Sequence, residues 1–548
     1  MKINFLENDE ELIKAFNLFF KDHYKCESYQ NSLNQISSLN LYNFYFWISP
    51  IASRNNYQTD TFLNFLKISF LRNYLEKNNK KKIFKIEVDS LILKIYLNRL
   101  FKKKLQIRLS KSYFTQLIKE FSKNLLFALK EIIILFLLNP FSKSKVPNLF
   151  KKILVSSYII NSIDDLERYF PEKFTKIKNS EVIFYINFLS RNPLKIKKLH
   201  DELKKRNIPF ISKYKILSFI DFLREVLNII FSSFIYPESK KGSWDHYPFF
   251  KLSNKQLSFF RNSLGGALNK AAAEKIARLN SKINFFNIGE NQTLDKGLNF
   301  GLQKHSSNLN SYFIQSYLPR RLDNFMYPNT FEIKGKVISS KVLSPFSFLE
   351  HHFIDEVSFK SVPAFRYSYL WNNVSRKNSS ELKIISIFLP NSPEEANKIF
   401  FKASKIINKF KAYEWQIKLH PTGVNKGKFI NEINSNLSLK ESLETSFELI
   451  LKSDIVITGN SGIILDCLYL EKTCLVFSDV NLFPIEVLEN FKNFSTWSSK
   501  DELSNLINNF KNIKDEINKT NPYENTIQLI KPDTKKMKLL LEDLFKDE

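Results

Sequence analysis

From about residue 377 onward, short apolar runs alternate with amphipathic segments of helical period. That alternation predicts strands joined by helices in a parallel sheet. The strand candidates are LKIISIFLP, YEWQIKLHP, DIVITGN and TCLVFSD; the helices between them are PEEANKIFFKASKIINKF, SLETSFELILKS and SGIILDCLYLE. Pro393, followed at once by acidic residues, marks a helix start. The pattern reads as a doubly wound unit of Rossmann type.

Residues 151 to about 370 repeat the layout more loosely. KILVSSYI (Lys152 to Ile159), EVIFYINFL (Glu181 to Leu189), IPFIS (Ile208 to Ser212), INFFNIGEN (Ile283 to Asn291) and KGKVIS (Lys334 to Ser339) predict strands. The clearest helix runs from Leu264 to Leu279, where Ala267, Ala271, Ala272 and Ala273 permit close packing on a sheet. Residues 1–150 mix both periods. FYFWIS (Phe44 to Ser49) reads as a strand, and Asp60 to Glu76 as a helix with Phe62, Phe65, Leu66 and Phe70 on one face. The segment Asn124 to Asn139, NLLFALKEIIILFLLN, has an apolar run shorter than the roughly 20 residues a bilayer needs. With Lys130 and Glu131 at its middle it predicts a buried helix; Lys143, Lys145, Lys151 and Lys152 beside it make an interfacial helix the alternative. Four parts follow: an N-terminal α/β extension over 1–150 packed on the first domain, a Rossmann-like domain over 151–376, a second over 377–500, and C-terminal helices over 501–548.

A chain of 548 residues exceeds a single core, and 43% apolar with 15% aromatic residues excludes a disordered one. The net charge of +27 has three readings. Heavy use of Lys, Asn, Ile and Phe follows from A+T-rich coding and comes first. Attraction to an anionic membrane or a phosphorylated substrate comes second. Nucleic-acid binding comes last, because neither zinc-finger spacing nor an RNA-binding aromatic signature accompanies the charge. Cys26, Cys467 and Cys474 are odd in number and far apart, which points to a reducing compartment. The opening MKINFLENDEELIKAF turns acidic at once and is no signal peptide. A cytoplasmic protein is expected, with peripheral contact to the inner face of the plasma membrane as an option.

The strongest chemical motif runs from Ser453 to Phe477. An apolar strand ends at Ile457; Thr458, Gly459, Asn460, Ser461 and Gly462 then open a helix. Unpaired amides and the positive dipole end make such a turn an anion site. The glycines allow close backbone approach, Asn460 and Ser461 can cap or bond a phosphate, and Asp466 one turn on can accept from ribose hydroxyls. An ordinary capped strand–helix turn is the competing reading. IKLHPTG precedes it by one αβ unit and ends at the same sheet edge, so His420 can donate to a phosphate while Pro421, Thr422 and Gly423 shape the turn. Alternatively, His420 only caps its strand.

KLHP with TGNSGIILDCLYLEKTCLVF resembles the donor-binding half of GT-B glycosyltransferases, especially bacterial capsule and lipopolysaccharide enzymes. NIGENQTLDKGLNFGLQKHSS (Asn287 to Ser307) with VPAFRYSYL (Val362 to Leu370) resembles a surface carbohydrate biosynthesis family, over roughly residues 150–480. The resemblance implies an α/β fold of two Rossmann-like domains facing across a cleft. It implies a metal-independent transferase with no cofactor, taking a nucleotide-sugar as substrate and a lipid-linked or oligosaccharide acceptor, in O-antigen or capsule synthesis. The helix of the wider superfamily carries a Glu at the place of Asp466. Glu290 and His305, expected at strand ends on the cleft, are the candidate bases, since inverting transfer needs one base near the attacking hydroxyl. Arg366 is the candidate diphosphate clamp. Capping by Glu290, Asn291 and Gln292, a buried structural His305 and an ion-paired Arg366 are the structural alternatives; His351 and His352 read as structural. A glycerol-phosphate transferase or UDP-sugar epimerase of the same fold, and a non-catalytic polysaccharide-assembly protein, are the other functions in play.

Overall fold

The computed structural model describes residues 3–5, 12, 15–16, 19, 27–54, 59, 61–77, 84–101, 105–110, 112–139, 147–149, 152–160, 162–168, 170, 181–190, 192–232, 249, 253, 259–280, 282–288, 290–315, 324–362, 365–371, 383–390, 392–420, 439–459, 461–470, 472–478, 495–510 and 539. They form two compact units that divide between Phe365 and Arg366, so Arg366 belongs to the second.

The first unit holds two sheets. A small one joins β1 (Ile3–Phe5), β2 (Phe84–Val88) and β3 (Leu105–Leu109). The large one contains β4 (Ile153–Ile159), β5 (Val182–Phe188), β6 (Phe210–Ile211), β7 (Lys282–Asn287), β8 (Asn308–Ile314), β9 (Lys341–Ser344) and β10 (Ser358–Ser361), in the order β10-β9-β8-β7-β4-β5-β6. Every pairing in it is parallel. The second unit carries one parallel sheet of β11 (Ile384–Phe388), β12 (Glu414–Lys418), β13 (Leu439–Glu441), β14 (Ile455–Thr458), β15 (Thr473–Phe477) and β16 (Ser495–Trp497), ordered β13-β12-β11-β14-β15-β16. Counted from its own first strand, the second unit's sheet runs 3-2-1-4-5-6, the Rossmann order, and the seven-stranded sheet runs 3-2-1-4-5-6-7, the same order with one strand added at its edge. The inner strands are largely apolar because both faces are covered: β5 and β15 are buried at every position, whereas the edge strand β10 is mostly exposed.

Helix α1 (Thr61–Lys77) matches its predicted period. Phe44–Trp47, expected as a strand, is a helical turn; Phe44, Phe46 and Trp47 are buried on both sides of it, so an apolar run rather than an alternation misled the reading. KGKVIS is likewise no strand, and the strand beside it is β9.

The stretch around Asn124 to Asn139 belongs to α2 (Tyr113–Leu138). It is helical but not buried as expected. Its polar residues Asn124 and Glu131 face the unit, whereas Leu125, Leu129, Ile133 and Phe136 are exposed. Glu131 is 2% exposed and holds Lys213 at 2.9 Å and Lys130 at 3.2 Å, with the Tyr214 hydroxyl donating to it. Burial pushes its carboxyl up, yet the two lysines outweigh burial and hold it below its ordinary value. Helix α3 (Phe219–Ser232) is turned the same way, with Asp221 and Glu225 buried and Ile220 75% exposed. No described helix is long and apolar enough to cross a membrane.

The N-terminal residues are tied to the first unit by buried charge. Lys296 donates to the Ala52 carbonyl and pairs with Glu332 at 3.1 Å; Arg54 reaches the other oxygen of Glu332. Around them, α4 (Phe260–Leu279) and α5 (Thr293–His305) pack backbone against backbone. A Cβ on Gly297 would stand 2.1 Å from the Gly266 carbonyl oxygen. Gly297→Ala is therefore expected to force the two helices apart. The overpacking loss of about 1–3 kcal/mol should exceed the roughly 1 kcal/mol of helix propensity gained, lowering the urea midpoint. Gly462→Ala, whose Cβ would meet only the Tyr367 hydroxyl at 3.5 Å, should leave the midpoint nearly unchanged.

Candidate functional site

In an open α/β sheet, ligands bind beyond the carboxyl ends of the strands where the strand order reverses. In the second unit that point lies between β11 and β14. Phe388 at the end of β11 pairs with Lys418 of β12 on one side and Thr458 of β14 on the other, so the three tips are level. Thr458 Oγ1 donates to the Phe388 carbonyl at 3.2 Å and locks the β14 tip to β11. His420 and the Gly459 turn thus share one sheet edge. They are not on adjacent strands, as the sequence suggested; β11 stands between, a separation of about 10 Å at ordinary strand spacing.

Beyond β11 the chain enters α6 (Pro393–Ile407), with Ser392 capping it: Glu395 N donates to Ser392 Oγ at 3.4 Å. The buried Glu395 carboxylate lies directly under Gly459, where a Cβ would be 2.0 Å from its Oε1. Only glycine lets the β14 tip settle there. After Gly459 the turn continues through Ser461, whose Oγ accepts from Ile463 N at 3.4 Å, into the short helix α7 (Ile463–Tyr469). Asp466 is buried on it.

Arg366 and Tyr367 join this edge from the start of the unit. Tyr367 is 3% exposed; its hydroxyl reaches Gly462. Burial pushes its phenol well up, Arg366 opposes, and the charge of Asp466 adds to the rise. His420 is half-buried, and its pKa falls below the ordinary 6.5 first through burial and then through the Arg366 guanidinium. The structure therefore brings Arg366, His420, Gly462 and Asp466 into one neighbourhood. Sequence reasoning missed Tyr367 and Glu395. Tyr367 follows Arg366 in the quoted AFRYSYL; Glu395 looked like an ordinary acidic residue of a helix start. Pro421, Thr422, Gly423 and Asn460 lie outside the described residues.

The first unit has its own reversal, between β4 and β7. Glu290 and Asn291 follow β7, and Asn291 adopts a left-handed φ of 48°, which asparagine tolerates. Gln292 caps α5 in a box closed by Asp295, whose Oδ2 accepts from Gln292 N at 3.0 Å and Glu290 N at 3.1 Å. Gln292 donates to the Glu290 carboxylate, and Tyr158 on β4 donates to Asp295. Burial, with the Glu290 charge as a lesser contribution, raises the Asp295 carboxyl to about 7 against the hydrogen bonds that favour its ionised form. Of the three residues in the structural alternative, Gln292 is the cap; Glu290 braces it and stands beside Asp295 as a second carboxyl at the switch point. His305 is elsewhere. It ends α5 instead of a strand, and its Nε2 lies 3.5 Å from Glu274 of α4. Because α5 starts at the carboxyl edge of the sheet and leads into the beginning of β8, His305 sits about 18 Å of helix away from Glu290. The apparent strand end in GLQKHSS was helix, which removes His305 as a base beside Glu290.

Gly459→Ala should push Glu395 from under the turn and cost the second unit about 1–3 kcal/mol, read by urea unfolding. The double variant Gly459→Ala/Glu395→Ala should lose less than the sum of the single changes. Strict additivity would show that the two do not touch.

No protein family model matches the chain, and no curated protein matches it. Several solved structures align. UDP-GlcNAc 2-epimerase from Neisseria meningitidis, bound to UDP-GlcNAc, aligns over 72% of this chain and 100% of its own at 13% identity and a TM-score of 0.41. The wall teichoic acid polymerase TagF aligns over 79% and 97% at 13% identity and 0.38, and MurG of Acinetobacter baumannii over 72% and 99% at 10% and 0.34. Two parallel Rossmann-ordered sheets, one per unit, define the fold class.

Proposed function

We propose that this protein is a glycosyltransferase of GT-B type, with the second unit holding a nucleotide-sugar and the first carrying the base for a lipid-linked or oligosaccharide acceptor. The carrying observation is the reversal between β11 and β14, where a glycine turn, Arg366 and His420 meet. The guanidinium and imidazole face the diphosphate and stabilise charge developing on the leaving group. Asp466 accepts from ribose hydroxyls. Deprotonation of the acceptor hydroxyl falls to the Glu290–Asp295 pair, which buries one carboxyl near neutrality. The resemblance of KLHP and TGNSGIILDCLYLE to capsule and lipopolysaccharide enzymes supports surface polysaccharide synthesis as the setting.

A second reading, a glycerol-phosphate transferase of the same fold, draws on the exposed apolar helices of the first unit.

Isothermal titration with UDP, CDP and GDP is expected to select one base. Arg366→Ala and His420→Ala should each weaken that nucleotide about tenfold, about 1.4 kcal/mol. Glu290→Gln should spare binding and remove turnover. The matching nucleotide-sugar has no phosphate titrating near neutrality. An anion beside His420 favours the imidazolium, so affinity should rise as pH falls below the ordinary histidine range toward the lowered pKa of the free protein. His420→Asn should flatten that slope. Equal binding by wild type and both alanine variants would remove the assignment.

A further inference from the structure

Helices α2 and α3 turn carboxylates inward beside a few buried apolar side chains (Ile134 and Leu135, Phe222 and Ile229) and leave most of their apolar residues outward. On α2, Ile118, Phe121, Leu125, Leu129, Ile133 and Phe136 recur at steps of three and four and are exposed, while Asn124 and Glu131 are buried. On α3, Ile220, Leu223, Leu227 and Phe231 are exposed, and Asp221 and Glu225 are buried. The buried carboxylates have cations or hydroxyls waiting for them: Glu131 has Lys130 and Lys213, Asp221 has Lys275, and Glu225 accepts from the Tyr45 hydroxyl at 3.0 Å. The outward leucines therefore do not mark a helix that failed to find its place; the inward faces are satisfied. The two stripes join where the Phe136 and Phe219 rings stand 5.7 Å apart. Of 25 exposed large apolar side chains among the described residues, 15 lie on these two helices, so the surface is one patch and not scatter.

Charge decides what covers it. A cavity of about 620 Å³ opens beside α2, lined by the exposed Leu126 and Leu189 and by Lys123, Lys130, Lys213 and Arg261. Four cations there share two carboxylates, Glu131 and Glu120, which leaves two positive charges in excess. Asn187, 4% exposed, also lines it, and its Nδ2 has no hydrogen-bond partner among the described residues. A second copy of a chain with net charge +27 is repelled from such a face, whereas an anionic surface is drawn to it. The 26 residues of α2 span about 39 Å, and Lys119, Lys123 and Lys130 interrupt them, a helix made to lie in an interface and not to cross it. We propose that the outward face of α2 and α3 docks on a bilayer rich in anionic phospholipid, with the cationic cavity turned to the headgroup phosphates. Docking is independent of the reaction proposed above and holds for either donor.

Flotation of the full chain with vesicles tests this. Wild type should float with phosphatidylcholine:phosphatidylglycerol vesicles (about 7:3) and much less with phosphatidylcholine alone. The variant Leu125→Glu/Leu129→Glu/Ile220→Glu changes only exposed positions and should lose about tenfold or more of the bound fraction. Its urea midpoint and nucleotide titration should match wild type, which separates lost docking from lost folding. Lys119→Gln/Lys123→Gln should lose the preference for phosphatidylglycerol, and Leu443→Glu on the second unit should float like wild type. Failure of wild type to float, unchanged flotation of the triple variant, or an unchanged lipid preference of the lysine variant would overturn the proposal. So would a dimer in analytical ultracentrifugation that the triple variant converts to monomer, because a second copy would then cover the face.

Discussion

In the second sheet, β11 lies between β12 and β14, and Phe388 pairs with Lys418 on one side and Thr458 on the other. That double pairing is the constraint on which the site depends. It levels three strand tips and sends the chain out of β11 and β14 in different directions, which leaves backbone amides and side chains converging above the edge. The rest is fitting. Thr458 bonds back to β11, Gly459 yields its side chain to the Glu395 carboxylate, and Arg366 and Tyr367 close in on His420, Gly462 and Asp466. The charge gathered there is mixed in sign, with Arg366 and His420 on one side and Asp466 on the other.

The first unit uses the same strand order for a different local chemistry. At its reversal the groups are carboxyls, held by capping and by Tyr158, and one of them is raised to about 7. Burial outweighs the hydrogen bonds to Asp295, whereas Glu131, equally buried, stays low because two lysines attend it. The contrast separates a carboxyl suited to moving a proton from one that fixes a helix. It also explains the orientation of α2. The side carrying Glu131 is the side with partners, so Leu125, Leu126 and Leu129 are left outward.

Much of this was legible in the chain. The apolar runs of β4, β5, β11, β14 and β15 announce buried parallel strands, and Pro393 and the alanines of α4 announce their helices, because local period and burial agree there. The seam of glycine and threonine in TGNSG could be read as a turn at a sheet edge. Strand order could not, since a crossover connection gives no local signal of where its second strand lands; β11 therefore intervened unseen between His420 and Gly459. Phe44–Trp47 and Asn124–Asn139 were misread for a related reason: an apolar run fixes neither element type nor which side faces solvent. His305 was displaced because GLQKHSS, read as a strand end, continues the helix α5, in which Gly297 and Gly301 serve helix-on-helix contact. Tyr367 and Glu395 enter the site through tertiary proximity alone.

The central claim is that the edge formed by β11, β14 and α7 is a nucleotide site. Amide hydrogen exchange followed by mass spectrometry, with and without UDP, CDP or GDP, addresses it at peptide resolution. One of the three nucleotides should slow exchange over residues 384–400 and 455–470 and leave α2 and α3 unchanged. Exchange in those two segments that no nucleotide alters, or protection confined to the first unit, would contradict the account.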